Sequence, residues 1–282
     1  MRGSASLVLA GLAIAASTAD AQVFSSRVEA VRVDVLVTER GKVVRGLGPG
    51  DFELLDNGVP QHIDLVTFER LPLNVVLVLD MSGSVAGERL EHLRTAGLAV
   101  LEQLAPEDEA ALVTFSHAVI IAAPFATDRA MVREALQRVE GFGRTALVDA
   151  SQVALALDTR GAGRSLIIVF SDGVDTASWL APDQVLETAR RTDAVVYGVT
   201  MRGPRKVPFV SDLAAATGGA LIEIGSTGDL HATFLRILEE FRQRYVVSYT
   251  PRGVSGAGWH RLDVRVKGRR VAVRARPGYV AP

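Results

Sequence analysis

The sequence contains no cysteine, which removes disulfides, thiolate metal sites, cysteine nucleophiles and a lipid-modified cysteine anchor from consideration. Charge of either sign is not in excess: 31 Lys and Arg stand against 32 Asp and Glu, so no overall field favours nucleic acid or an anionic membrane. Any charge-driven partner must be recognised locally. The five histidines, His62, His92, His117, His231 and His260, are scattered without paired metal spacing. Ser82 and Ser84 lie outside any G-x-S-x-G pattern, and the glycine-rich "RGAGRS" lacks a phosphate-loop lysine arrangement. A phosphoryl-accepting role for Asp80 would need a general acid or base and charge-stabilising partners that cannot be assigned. Hydrolase and phosphotransferase readings therefore have no constellation to rest on, and no catalytic residue is expected.

Long hydrophobic runs are also missing. The longest candidate, "SLVLAGLAIAA", follows Arg2 and precedes the small-residue sequence "ADA" at 19–21; it is shorter than the ~20 residues a membrane span requires. Residues 1–21 read instead as a cleavable signal peptide, and no stable membrane span is expected. The chain is then an exported bacterial protein, periplasmic or secreted. With 48% hydrophobic and 22% charged residues and only 11 prolines, the remainder belongs to the globular class.

Changes of hydrophobic period divide that remainder into three. In residues 22–72 the period is two: Val31, Val33, Val35 and Val37 alternate with more polar neighbours, and "LLDNGVPQ" carries an Asn57-Gly58 pair suited to a tight hairpin turn. In residues 73–244 the short apolar runs "NVVLVLD", "EAALVTFS", "SLIIVFSD" and "AVVYGVTM" alternate with amphipathic segments. One such segment aligns Leu90, Leu93, Gly97, Val100, Leu101 and Leu104; another aligns Leu230, Phe234, Ile237, Leu238 and Phe241. This alternation predicts crossover units around a mostly parallel sheet, a doubly wound α/β domain. In residues 245–282 the period returns to two. Neither strand-rich end has enough strands to cover its own apolar face, so the two are expected to pack together as a small sheet or sandwich.

The stretch "VLVLDMSGSV", 76–85, places Asp80, Ser82 and Ser84 at spacing two directly after a buried strand. In open α/β sheets, ligands bind beyond the carboxyl ends of the strands where strand order reverses. Hard oxygen donors without His or Cys suit magnesium, manganese or calcium. Asp, Ser and Gly after a strand also make ordinary turns and caps, but two further segments point to the same edge. "GFGRTALVDA" puts Thr145 at the start of a helical pattern, and "SLIIVFSDG" puts Asp172 at the end of another apolar strand.

Here the chain resembles the von Willebrand factor type A (VWA) family, whose metal-ion-dependent adhesion site is made from D-x-S-x-S, a distant threonine and a distant aspartate. Asp80, Ser82, Ser84, Thr145 and Asp172 match those positions in order. The resemblance implies a Rossmann-like fold, a divalent cation (Mg²⁺ first, Mn²⁺ or Ca²⁺ as alternatives) bound directly by the serines and in some states the threonine, aspartates acting through water, and a partner carboxylate completing the coordination. More loosely, "VDVLVTERGKVVRGLGPGDFELLDNGVPQHI", "YVVSYTP" and "VRARPGYVAP" resemble the flanks of secreted bacterial proteins of the acidobacterial VWA-related group. One departure is Arg144, where family members often carry a small residue beside the threonine; its charge can repel a metal or pair with an incoming acid, or its side chain can point to solvent.

The expected function is an exported, metal-dependent protein-binding or adhesion module that captures an acidic partner residue. The competing reading is a structural envelope component whose cation only stabilises loops. The dense basic ending, with Arg265, Lys267, Arg269, Arg270, Arg274 and Arg276 on two strands joined near Gly268, reads as a solvated sheet face or a surface for an acidic envelope polymer or protein, not for nucleic acid. Asp175 reads as a turn residue or a support of the cation site.

Overall fold

The computed structural model describes residues 30–68, 71–157, 163–203, 207–254 and 256–281. The signal peptide expected at 1–21 lies outside the described residues. The strands are β1 (Val31–Glu39), β2 (Lys42–Val43), β3 (Phe52–Asp56), β4 (Val59–Gln61), β5 (Ile63–Thr67), β6 (Leu73–Asp80), β7 (Glu109–Phe115), β8 (Val119–Ala126), β9 (Arg164–Ser171), β10 (Val195–Met201), β11 (Leu221–Ile224), β12 (Tyr245–Tyr249), β13 (Gly258–Val266), β14 (Ala272–Arg274) and β15 (Gly278–Ala281). The helices are α1 (Glu88–Gln103), α2 (Ala130–Arg138), α3 (Leu147–Leu157), α4 (Pro182–Ala189), α5 (Pro208–Ala216) and α6 (Leu230–Arg242). Among the described residues no helix is long and apolar enough to cross a membrane.

The central sheet has six strands in the order β11-β10-β9-β6-β7-β8. All neighbours pair in parallel except β8, which returns antiparallel to β7 along an irregular register. β6 is buried along its whole length because helices cover both faces of the sheet. Val75, Leu77 and Leu79 pack into one core with α1, α2 and α6, while Val76 and Val78 pack into the other with α3, α4 and α5. That double burial is why the strand reads as an unbroken apolar run. The aligned apolar stripe of α6 is buried in full, with Leu230, Phe234, Ile237, Leu238 and Phe241 at most 3% exposed. Each such side chain contributes roughly 1.5–3 kcal/mol of transfer free energy.

Strands from both ends of the chain interleave in two smaller antiparallel sheets. One has the order β14-β1-β12-β5, with β2 beside β1; the other has the order β15-β13-β3-β4. Val33, Val35 and Val37 of β1 meet Phe52, Leu54, Tyr245, Val247, Tyr249 and Leu262 in a single core between them. The turn between β3 and β4 is the Asn57-Gly58 pair, both at positive φ (47° and 82°), the geometry a two-residue hairpin demands.

At the centre of this sandwich lies a polar cluster. Asp56 Oδ2 accepts hydrogen bonds from the hydroxyls of Tyr249 (2.8 Å) and Tyr279 (2.9 Å), and its Oδ1 stands 2.8 Å from His260 Nδ1. His260 Nε2 faces the Gly256 carbonyl at 3.0 Å. Both ring nitrogens face acceptors, an arrangement that favours the protonated imidazole, and although burial alone would lower its pKa, the bonds to the Gly256 carbonyl and Asp56 raise it. Burial pushes both tyrosine hydroxyls up, Tyr279 to about 12, which keeps them as donors to the carboxylate.

The basic ending is arranged differently from a shared strand face. β13 pairs with β3 and β15, whereas β14 pairs with β1, so the two strands flanking Gly268 lie in different sheets. The chain crosses between the layers, and β14 pairs with β1 at Leu36–Thr38. Several of the arginines are consumed internally: Arg274 pairs with Glu240 (2.9 Å), Arg276 with Asp193 (2.7 Å), and Arg265 with Asp263.

Candidate metal centre

The strand order reverses at β6: the chain moves from β6 outward to β7 and β8, then crosses back to β9 on the other side of β6. The carboxyl ends of β6 and β9 therefore bracket a crevice, the place where an open α/β sheet receives ligands. Asp80 is the last residue of β6, and Asp172 directly follows β9.

Asp80 is fully buried. Its Oδ1 accepts the Ser82 amide at 2.8 Å, which bends the chain out of the strand, and its Oδ2 accepts the Ser171 hydroxyl at 2.7 Å. Burial pushes its carboxyl above the ordinary carboxylate range against the hydrogen bonds from Ser171 and Ser82, and the charge of Asp172 adds to the rise. Such a carboxylate gains from a cation placed nearby.

The bend brings the two serines together. Ser82 Oγ and Ser84 Oγ are 3.1 Å apart, and Ser84 Oγ donates to Asp172 Oδ1 at 2.6 Å. The other oxygen, Asp172 Oδ2, accepts from Arg89 at 3.1 Å, and the same guanidinium nitrogen reaches the Ser84 carbonyl at 3.2 Å. Arg89 stands at the second position of α1, one turn beyond the serine loop.

Thr145 comes in on a third loop. Gly143, at φ +83°, makes the turn before it, a conformation that favours glycine. The Gly143 carbonyl accepts the Gly83 amide (3.1 Å), and the Met81 carbonyl accepts the Phe142 amide (2.8 Å), so this loop is bonded to the serine loop along its backbone. The Thr145 carbonyl accepts the amides of Thr176 and Ala177 at 2.8 and 3.0 Å, and its own amide donates to Thr176 Oγ1 at 3.1 Å. Its hydroxyl faces the Asp172 loop: a Cβ added to Gly173 would stand 3.9 Å from Thr145 Oγ1.

Asp80, Ser82, Ser84 and Asp172 thus form one hydrogen-bonded chain, with Thr145 against it from the side. Among the described residues no three His, Cys, Asp or Glu side chains gather as a metal-binding group; the donors here are two carboxylates and three hydroxyls, a set that suits a hard cation. Asp175 serves α3, accepting the Val148 amide (2.9 Å) and the Ser178 hydroxyl (2.5 Å). Arg144 is exposed and donates to the Thr176 carbonyl. Two participants escaped the sequence reading. Ser171 adjoins Asp172 in "VFSDG" and was visible as a hydroxyl at a strand end. Arg89 gave no signal, since only the path of the loop into α1 brings it back to Asp172.

Comparison with known proteins agrees with this architecture. Residues 75–174 match the family model described as von Willebrand factor type A domain. A protein of Synechocystis sp. is 31% identical over 94 residues, covering 33% of this chain and 22% of that protein. The chain spans about a fifth of the length of the curated relatives it matches. Among solved structures, a von Willebrand factor type A protein from Catenulispora acidiphila aligns with a TM-score of 0.58 at 13% identity, covering 87% of this chain and 76% of that one. The vWF domain of the type V pili tip protein Mfa5 from Porphyromonas gingivalis aligns with a TM-score of 0.52 at 13% identity, covering 67% and 99%. At that identity the structural likeness concerns the fold.

Proposed function

We propose that the chain is an exported, cation-dependent adhesion module rather than an enzyme, a reading supported by the match of residues 75–174 to the von Willebrand factor type A domain, a family that often mediates protein binding and adhesion. Asp80, Ser82, Ser84, Thr145 and Asp172 would hold a divalent cation, Mg²⁺ first. The observation that carries this reading is the convergence of two strand ends: Ser82 Oγ lies 3.1 Å from Ser84 Oγ, which donates to Asp172 Oδ1 at 2.6 Å. Nothing in a purely structural loop requires two hydroxyls and a carboxylate from different strands to meet at the open edge of a sheet.

The residues fit the ion by their chemistry. Ser82 and Ser84 supply neutral oxygens, while Asp80 and Asp172 supply charge from positions already fixed by Ser171, the Ser82 amide and Arg89. A divalent ion held mainly by neutral hydroxyls and water keeps a strong field and accepts a partner's carboxylate. The Gly83–Gly143 and Met81–Phe142 backbone bonds hold the serine and threonine loops in register, which supports the reading. The type V pili tip protein, with its vWF domain, provides a bacterial surface setting for the same fold, and the leader expected at 1–21 supports export.

Calorimetric titration with Mg²⁺ tests the reading directly. One principal site is expected in the wild type, and Asp80→Ala is expected to abolish binding nearly completely while the domain stays folded. Equal affinity in the two proteins would leave the cation reading without support.

A further inference from the structure

We infer that Phe142, Val174 and Trp179 form, with Arg144, a specificity surface around the proposed cation site, and that the partner segment it receives carries a carboxylate next to an aromatic or aliphatic side chain. The inference rests on the cation reading for the carboxylate and on separate observations for its neighbour.

Of the eight exposed large apolar side chains among the described residues, three stand beside the proposed site: Phe142 (57% exposed), Val174 (43%) and Trp179 (95%). All three belong to the two loops that carry Thr145 and Asp172. The backbones of Phe142 and Trp179 are hydrogen-bonded. The Phe142 amide donates to the Met81 carbonyl, and its ring meets His117 edge-on at 5.3 Å. The Trp179 and Leu180 amides donate to the two oxygens of Asp149 at 2.9 and 3.0 Å, and Ser178 is tied to Asp175. An indole left in water on a fixed backbone has surrendered little of its binding free energy to ordering, the arrangement that gives aromatic side chains their weight at protein interfaces.

The charge of the surface restricts what it can receive. Arg144 is exposed beside Thr145, and the Arg89 side chain is 51% exposed beside Asp172. Asp80 and Asp172 offset part of the positive charge of Arg89, Arg144 and a divalent cation, and the excess that remains favours an acidic segment and repels a basic one. A carboxylate flanked by serine or glycine would satisfy the charge but leave Trp179 and Phe142 in water. A carboxylate flanked by an apolar side chain covers them and sheds water from the ion, which strengthens the polar contact.

The test uses the full chain and capped, labelled peptides with a central Asp flanked either by Phe and Leu or by Ser, each with an Asn counterpart, measured by fluorescence anisotropy in Mg²⁺ and in chelator. A Trp259→Phe background leaves Trp179 as the single indole reporter. The apolar-flanked acidic peptide is expected to bind at least tenfold more tightly than the Ser-flanked one, to shift Trp179 emission to the blue, and to lose most of that advantage in Trp179→Ala or Phe142→Ala. Equal binding of the two acidic peptides, unchanged selectivity in both variants, or no binding by any peptide would overturn the inference. Loss of binding in chelator together with indifference to the flanking residues would do so while leaving the cation reading intact. Retention of the Trp179-dependent preference in chelator would sustain the apolar surface and remove the cation from it.

Discussion

Arg89 is positioned to hold Asp172 when no other cation does, and its removal should strengthen metal binding. Its guanidinium lies 3.1 Å from Asp172 Oδ2, with the Asp172 side chain 3% exposed and the Arg89 side chain 51% exposed. Coulomb's law at that separation gives about 1 kcal/mol in bulk water and about 5 kcal/mol at an effective dielectric near 20. Half of the guanidinium is in solvent, so the lower figure is the appropriate one, about 1 kcal/mol. A divalent ion that draws on Asp172 must either displace this contact or tolerate the adjacent positive charge. Arg89→Gln is therefore expected to tighten Mg²⁺ binding by about fivefold, the equivalent of about 1 kcal/mol. The gain should shrink as ionic strength rises, because a half-exposed pair is screened. The substitution should not cost the helix, since a positive charge in the first turn of α1 opposes the helix dipole. Calorimetry on wild type and Arg89→Gln at low and high salt decides the matter. Unchanged or weaker Mg²⁺ affinity in the variant, with folding intact, would refute the competition and leave Arg89 as a positioning contact for Asp172.

Two further predictions concern stability. Asp34→Ala should destabilise the protein by about 3–5 kcal/mol in urea, because it strips the carboxylate from Arg164, whose side chain is only 5% exposed; a loss below about 1 kcal/mol would mean that the Phe241 carbonyl and ring alone satisfy the guanidinium. For His260, burial alone would lower the pKa, but the bonds to the Gly256 carbonyl and Asp56 outweigh it and raise the value above 6.5; its contribution is therefore fully present below that ordinary value and lost as pH rises through the raised one. The stability advantage of wild type over His260→Gln should accordingly shrink on going from acid to alkaline pH in thermal melts, and an advantage that grows with pH would contradict the protonated geometry.

Much of the α/β core was legible because burial on both faces leaves an unmistakable record. The runs at Asn74–Asp80 and Ser165–Ser171 became strands, and the stripes beginning at Leu90 and Leu230 became the buried faces of α1 and α6. β8 and β11 were not anticipated. β8, "VIIAAPFA", is apolar throughout, but Pro124 interrupts the run and fits only an edge strand, while β11 has just four residues. The basic ending misled because its alternation records a strand period without recording the partner: β13 and β14 have the same pattern, yet they belong to different sheets. At the site, the serine and aspartate spacing located the oxygen donors. The contacts that fix them, Ser171 on Asp80 and Arg89 on Asp172, depend on how two strand ends and a helix start meet in space, and no local spacing encodes that meeting.

The placement of the sandwich bears on how the site is presented. Its contacts with the α/β domain gather at one end of the central sheet. Asp34 of β1 pairs with Arg164, the first residue of β9; Arg276 pairs with Asp193, just before β10; and Arg244, just before β12, donates to the Gly218 carbonyl ahead of β11 at 2.7 Å. All three anchor points lie at the amino ends of parallel strands. The site lies at the carboxyl ends, across the eight residues of β9, a distance of about 25 Å at the usual rise per residue. Arg244 is 1% exposed and also reaches the Tyr197 hydroxyl, which in turn donates to Glu240. A joint built from buried, multiply bonded arginines resists sliding, because moving any of them strands a charge away from water. The sandwich therefore grips the sheet from the end opposite the proposed cation site, at which the loops of Ser84, Arg144 and Trp179 lie. A substitution in the sandwich should therefore alter stability without altering the selectivity of the proposed site.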